Sequence, residues 1–296
     1  MGQTTASSRI VARRRAFKQA RRITLSVVIW AFVAVWYFPV MWMFSTSLKP
    51  TTEAVIENPP RLIPAHPTLE NYKSIFAAKS NVNIPRALLN STIVGLVTVA
   101  ATLLTSVPAG YALSRLQFKG RKTVFGIYVG ILAFPATMFL VPNYYIIHGM
   151  KLMDTLTALV LPVLATTFGV FLVRQYMVGL PRDLEDAAWI DGCSRTRFLV
   201  KIVVPMVLPS IFVLGLMTFL TSWNNFLWPL LVLNNPNNMT LPVALSRFNV
   251  GWADPFRGIG PLMAGAFITM APTLLIFILF HRYLMEGISI GSLGKG

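Results

Sequence analysis

The sequence predicts an all-α polytopic membrane protein of six transmembrane helices, with both termini in the cytoplasm. Three observations lead there. Of 296 residues 55% are hydrophobic and only 12% charged, with a mean hydropathy of +0.63, whereas soluble domains carry about a quarter charged residues. The apolar residues come in six blocks, 23–47, 88–113, 123–145, 156–178, 207–233 and 262–285, each near the ~20 residues that cross a bilayer. The basic residues alternate between the links. Both termini and the links after the second and fourth blocks hold twice as many Lys and Arg as the opposite links, which places them on the cytoplasmic side.

The first 22 residues form a basic arm. Arg9, Arg13, Arg14, Arg15, Lys18, Arg21 and Arg22 have no acid among them, a pattern that suits anionic lipid and the topology better than nucleic acid. The arm and block 23–47 do not read as a cleaved signal: the apolar run is too long and no small-residue cleavage site closes it. The external loop 48–87 carries Pro59, Pro60, Pro64 and Pro67, which exclude a continuous helix. It is either a connector or a surface for an external partner.

The second span opens at Asn90 and Ser91, both able to cap a helix, and closes on AGYALSRLQFKGRK with Tyr111 near the interface. The third contains Gly126-x-x-x-Gly130, which permits close helix approach, and Pro135 and Pro142, which predict kinks or a break.

The link 179–206 differs from the others. Four of the chain's ten acids, Asp183, Glu185, Asp186 and Asp191, lie in it. Leu180-Pro181 stops the preceding helix and Asp183 can cap a new one. Glu185 and Asp186 fall in its first turn, where the helix dipole favours anions. Leu184, Ala187, Ala188 and Asp191 recur at three- and four-residue spacing and leave one side small. Gly192 is placed to end the helix, and Ser194 to cap a second one that runs into Pro205 and Pro209. Such a knob, small-sided and carboxylate-tipped, suits a basic protein surface. An amphipathic helix lying on lipid is the alternative, but such helices are usually rich in Lys and Arg.

Chemistry within the chain is limited. A lone Cys193 cannot form an internal disulfide, and His66, His148 and His281 are scattered, so no metal site is expected. There is no G-x-x-x-x-G-K-[ST] phosphate loop and no nucleophile–base constellation, so the chain is expected to be no enzyme and to bind no cofactor. The spans hold almost no charge, which disfavours an ionic cargo or a proton relay. Their polar content is neutral and aromatic: Trp223, Asn224, Asn225, Phe226 and Trp228 in the fifth span, and Asn143 and Tyr144 after Pro142. These are the candidate substrate path for a hydroxyl-rich solute. The competing reading is that they bond to neighbouring helices or mark the interface.

Asp186-Ala187-Ala188-Trp189-Ile190-Asp191-Gly192, with Ile202, Pro205 and Pro209 after it, resembles the EAA loop of ABC importer permeases. SLKP after the first span, NSTIVGLV, AGYALSRLQFKGRK, VPNYYIIHGMKLMDTLTALVLP, WNNFLWPL with TLPVAL, and GISIGSLGKG extend the resemblance over nearly the whole chain, to the maltose-type six-helix permeases of carbohydrate importers. Two positions depart from the pattern: Asp186 replaces its Glu, and Cys193 its usual Ala.

The resemblance implies a type I importer permease (MetI-like) fold in a bacterial or archaeal cytoplasmic membrane. Its domain plan would be the arm 1–22, a permease domain 23–285 with external loops 48–87 and 234–261, and a tail 286–296. It implies a coupling helix built on Asp186, Ala187, Ala188 and Gly192, with Leu184 and Glu185 beside them, docked on a cytoplasmic ATPase. The partners implied are a second permease, two ATPase subunits that hold ATP and Mg²⁺, and an extracytoplasmic substrate-binding protein, which the loop 234–261 contacts. The cargo implied is a sugar; glycerol 3-phosphate or a polyol derivative is the alternative. A self-sufficient secondary transporter would need acids within the membrane, and the spans have none.

Overall fold

A computed structural model describes the backbone of residues 3–50, 61–77, 82–248 and 259–290, and the side chains among them except those of residues 3–18, 20, 248 and 281–290. Parts of both external loops (51–60, 78–81 and 249–258) and the tail from 291 lie outside the described residues. Among the described residues every regular element is helical. The chain divides into two compact units, Met1–Ile75 with Trp252–Phe267, and Phe76–Gly251 with Ile268–Gly296.

In the first unit, α1 (Gln3–Ser47) runs unbroken from the basic arm through the first apolar block. Its span leaves Trp30, Val35 and Trp36 exposed, as a lipid- or partner-facing helix does. The last carbonyls of a helix lack intrahelical donors. Here Asn71 of α2 (Glu70–Phe76) supplies them, donating Nδ2 to Ser47 O at 2.8 Å and Lys49 O at 2.7 Å. Gly260 makes room for that amide, since a Cβ there would stand 2.7 Å from Asn71 Nδ2. The Lys49 ammonium is buried, donates to Arg61 O and lies over the Trp42 ring.

The second unit is organised around α3 (Ile84–Arg115). Ser91, Gly95, Thr98, Thr102, Ser106 and Gly110 recur along it every three or four residues, and all are buried. Small residues on one stripe let neighbouring backbones approach closely. α3 accordingly packs most extensively on α7 (Thr167–Val178) and α11 (Leu208–Trp223). A Cβ on Gly110 would meet Val173 Cγ1 at 3.0 Å and the Arg174 backbone at 3.1 Å.

The helix starts earlier than expected. Asn83 is its cap, accepting from Arg86 N at 3.0 Å. Asn90 and Ser91 lie inside it and hold a distant segment instead. Asn90 donates to Asn237 O and Met239 O, both at 2.9 Å, and Ser91 Oγ accepts Leu241 N at 2.8 Å.

Of the six apolar blocks, three form unbroken spans and three are bent. The third splits into α4 (Arg121–Leu132) and a 3₁₀ turn leading to α5 (Leu140–Gly149), with 97° between the arms. Pro135 sits at that break, as its missing N–H and fixed φ dictate. The fourth comprises α6 (Thr157–Val160) with a 3₁₀ turn to Val163, then α7, bent by 45°. Thr105 of α3 donates to the freed Leu164 carbonyl at 2.5 Å, which satisfies backbone that the break exposes.

α8 (Asp183–Ile190) follows in the next link. The fifth span is also divided. α9 (Arg195–Phe198), a π turn Leu199–Val203 and α10 (Val204–Met206) meet α11 at 78°. α11 then stops at Trp223, and α12 (Leu227–Val232) is separate. Block 207–233 is therefore not one helix.

The loop predicted for 234–261 is partly core. Leu241, Val243 and Ala244 of α13 (Leu241–Phe248) are fully buried, and α14 (Ile259–Ile290) already includes its last residues and the first five of the expected tail.

Candidate functional site

The acid-rich link is a rooted knob. α8 begins one residue after Arg182, which occupies the cap position without a side-chain bond. Asp183 is therefore inside the first turn rather than at the cap, beside Glu185 and Asp186. The C-terminus follows the expectation closely. Gly192 takes φ +68°, its N–H bonds Trp189 O at 3.1 Å, and Cys193 N–H bonds Ala188 O at 2.9 Å. That pair of bonds is a Schellman motif, which turns the chain sharply out of the helix. Ser194 then caps α9, accepting from Arg197 N.

Beneath α8, Ala188 joins Tyr111, Val173, Met177, Phe198, Val203, Val207, Ile211 and Leu214 in one buried apolar cluster. Trp189 and Phe198 rings lie 5.5 Å apart, and Phe198 lies 6.4 Å from Tyr111. The small Ala188 lets the helix sit close to this base.

The predicted docking set divides accordingly. Leu184, Asp186 and Ala187 are exposed, and Ile190, not picked out from the sequence, is the most exposed large apolar residue of the knob at 86%. Ala188 and Glu185 face inward, contrary to their expected place in the dock. They are three residues apart and so share a face. Ala188 is drawn under by the apolar cluster, and Glu185 by Arg115, whose Nη1 lies 3.5 Å from its Oε2.

Arg115 was legible only as part of a topology cluster. Its side chain is 6% exposed, and Nη2 donates to Met177 O at 2.7 Å and Leu180 O at 2.6 Å. Its signal in the sequence was position alone: the last residue of a span, opposite the link that holds the acids.

The candidate substrate path also divides. Trp223 is 2% exposed and donates Nε1 to Thr269 O at 2.9 Å. Trp228 donates to Ala158 O at 3.0 Å and packs on Val94, Ile147, Leu159 and Val232. Both donate to carbonyls of neighbouring helices, as the competing reading expects. Tyr144 packs on that same cluster with its ring 6.3 Å from His148, and Asn143 is half-buried. Asn224, Asn225 and Phe226 form the break between α11 and α12. Asn224 and Phe226 are exposed and Asn225 half-buried, so this is the part of the candidate path that remains open.

A further cluster was missed. Asp154, the one acid between Glu70 and Asp183, has φ +60° and ties down the segment after α12. Its carboxylate accepts Asn234 N and Asn235 N, its N–H donates to Val232 O, and its carbonyl accepts Asn238 Nδ2. Arg86 holds Asn237 O and Arg247 holds Asn234 O and Leu233 O from other sides. Isolation of that single acid was the available clue.

Residues 104–289 match the family model described as binding-protein-dependent transport system inner membrane component. The arabinooligosaccharides transport system permease protein of Halalkalibacterium halodurans is 36% identical over 248 residues, covering 83% of this chain and 87% of that one. The sulfoquinovosyl glycerol transport system permease protein of Agrobacterium fabrum is 34% identical over 251 residues, with 84% and 85% covered. In structure, a chain of a bacterial ABC transporter involved in import of the acidic polysaccharide alginate superposes with a TM-score of 0.79 at 22% identity, over 90% of this chain and 96% of that chain. That likeness bears on the fold.

Proposed function

This chain belongs to the family of binding-protein-dependent transport system inner membrane components, and on that premise we propose that it is a permease subunit of an ABC importer that admits a sugar or oligosaccharide across a bacterial or archaeal cytoplasmic membrane. The observation that carries the reading is the geometry of α8. Its underside is anchored in a buried cluster through Ala188, while Asp186, Ala187, Leu184 and Ile190 are left exposed. A short helix built this way moves with its base and offers its tip to another protein.

In this reading the tip docks on a cytoplasmic ATPase. ATP and Mg²⁺ are held by two such subunits, since this sequence has no phosphate loop. A second permease completes the path, and an extracytoplasmic binding protein delivers the cargo. Closing of the ATPase pair pushes α8, and the bent spans around it reorient to expose a central passage alternately to each side. Asn224, Asn225 and Phe226, at a helix break, are the residues of this chain best placed to meet a neutral, hydroxyl-rich solute: amides both donate and accept.

The reading is tested by purifying the chain with its companions from native membranes and measuring ATP turnover against a panel of saccharides, with the binding protein present. Stimulation by one saccharide class is expected. A second reading, an anionic cargo such as glycerol 3-phosphate or an acidic saccharide, draws support from the name of the sulfoquinovosyl glycerol relative. Turnover raised by such anions and by no neutral sugar would select it. Uphill transport by the chain alone in liposomes, without nucleotide, would overturn both.

A further inference from the structure

We infer that Arg115 is the positioning residue that pins α8 to α3 and α7, so that a displacement of α8 is passed to both helices as one movement. The inference rests on the coupling role proposed for α8 and adds the means by which that role is executed.

One guanidinium joins three elements. Arg115 is the last residue of α3. Its Nη2 closes on Met177 O and Leu180 O at the end of α7, at 2.7 and 2.6 Å. Its Nη1 faces Glu185 of α8 at 3.5 Å. The carbonyl bonds alone would be an ordinary helix cap, made from a neighbouring helix. The Glu185 contact goes further, because it ties the cap to the knob that the ATPase would move.

The other attachments of α8 are less directional. The chain enters through Gly179, Leu180, Pro181 and Arg182, outside both helices. The apolar cluster around Ala188 and Phe198 resists separation, but hydrophobic contact has no preferred direction and permits sliding. An ion pair with both partners mostly buried, 6% and 18% exposed, does fix a direction. Removing one partner leaves a desolvated charge behind.

The pair also has unspent donors around it. Arg115 Nε and Tyr111 Oη are both buried without a hydrogen-bond partner among the described residues, and Tyr111 precedes Arg115 by four residues, on the same face of α3. At 3.5 Å the Nη1–Glu185 contact is an ion pair and not a closed hydrogen bond. A shift of α8 therefore leaves Glu185 with other donors on that face to turn to, and the pin can hold through a movement.

The test uses the complete importer in proteoliposomes, with sugar uptake and ATP hydrolysis measured in the same vesicles. Glu185→Gln keeps the Arg115–carbonyl bonds and removes only the charge of the pair; Arg115→Gln removes the whole pin. With Glu185→Gln, the ATPase subunits are expected to stay bound while uptake per ATP hydrolysed falls about fivefold or more, the size of an ordinary coupling between sites. Arg115→Lys is expected to recover part of that ratio relative to Arg115→Gln, since it keeps a charge but loses the fork. A merely structural role would lower the amount of folded importer and leave the ratio alone.

An unchanged ratio in Glu185→Gln would overturn the inference, and so would loss of the ATPase subunits, which would put Glu185 in the dock itself. Asp186→Lys separates the two levels. If it releases the ATPase while Glu185→Gln stays coupled, the pin fails and the docking proposal stands; if Asp186→Lys has no effect, the docking proposal fails.

Discussion

The Asp154 carboxylate accepts the backbone N–H of Asn235 at 2.9 Å across 81 residues of sequence, joining the link after α5 to the segment after α12. It accepts Asn234 N at 3.0 Å as well, from a left-handed backbone with φ +60°. Hydrogen bonds to a charged acceptor are worth about 1.5–3 kcal/mol each, less where water competes.

Asp154→Ala loses the Oδ1 that accepts both bonds and keeps the strained φ. It is expected to lower stability by about 1–3 kcal/mol, read as a fall in the thermal midpoint of the detergent-solubilised protein. Asp154→Asn should lose less, because an amide oxygen remains and Asn tolerates the left-handed region. Asp154→Gly isolates the side chain, since it relieves the backbone but restores no acceptor. A Gly variant more stable than the parent, by the backbone strain it relieves, would mean that the carboxylate bonds contribute nothing.

Gly192 tests the backbone side of the knob. Its φ is +68° and a Cβ there would meet nothing within 4 Å, so a cost on substitution is conformational and not steric crowding. Gly192→Ala is expected to cost about 1–2 kcal/mol, and Gly192→Asn distinctly less. Equal midpoints for the Ala and Asn variants would contradict the Schellman assignment. The Ala variant should also lower uptake, because the direction in which α8 leaves its base depends on this turn.

The two tryptophans and the asparagines at the α11–α12 break should separate by phenotype. Trp223→Phe removes the indole donation to Thr269 O and opens a small void in a site 2% exposed. A loss of about 1–3 kcal/mol in stability is expected, with the order of preference among sugars unchanged. Asn224→Ala, at an exposed position whose amide donates back to its own helix at Leu220 O, 2.8 Å away, should move stability by less than about 0.5 kcal/mol and change uptake. Altered sugar preference in Trp223→Phe, with none in Asn224→Ala, would reverse the assignment.

The degree to which the fold was legible follows from what each signal reports. Apolar length located all six blocks, since the membrane demands it. Prolines marked the breaks near 135, 205 and 209, but a missing N–H gives no angle, and the 97° turn before α5 depends on tertiary packing. Asn90 and Ser91 misled because the groups that make a good cap make an equally good tie to Asn237, Met239 and Leu241. At the knob, Gly192 and Ser194 could be read locally, whereas the inward turn of Glu185 is set by Arg115, far upstream. Trp223 and Trp228 carried the composition of a sugar site, but an indole N–H that is mostly buried needs an acceptor, and helix carbonyls of Thr269 and Ala158 provide it.

The exposed tip of α8 gives the most direct prediction. Asp186 and Ala187 are exposed, and Ile190 is 86% exposed, so side-chain substitutions there should leave stability within about 0.5 kcal/mol. A docking tip must nevertheless lose affinity when its chemistry is inverted. Asp186→Lys replaces an acceptor for Arg or Lys with a like charge, and Ile190→Glu puts a charge where an apolar side chain would be buried. Both are expected to reduce retention of the ATPase subunits on purification by tenfold or more, about the effect of 1.4 kcal/mol, while the permease keeps its thermal midpoint. Asp186→Glu supplies the longer carboxylate of the loop pattern that this stretch resembles and should retain the ATPase at least as well as the parent. Full retention in both Asp186→Lys and Ile190→Glu would mean that the tip of α8 touches no ATPase, and the motor would have to grip the permease elsewhere.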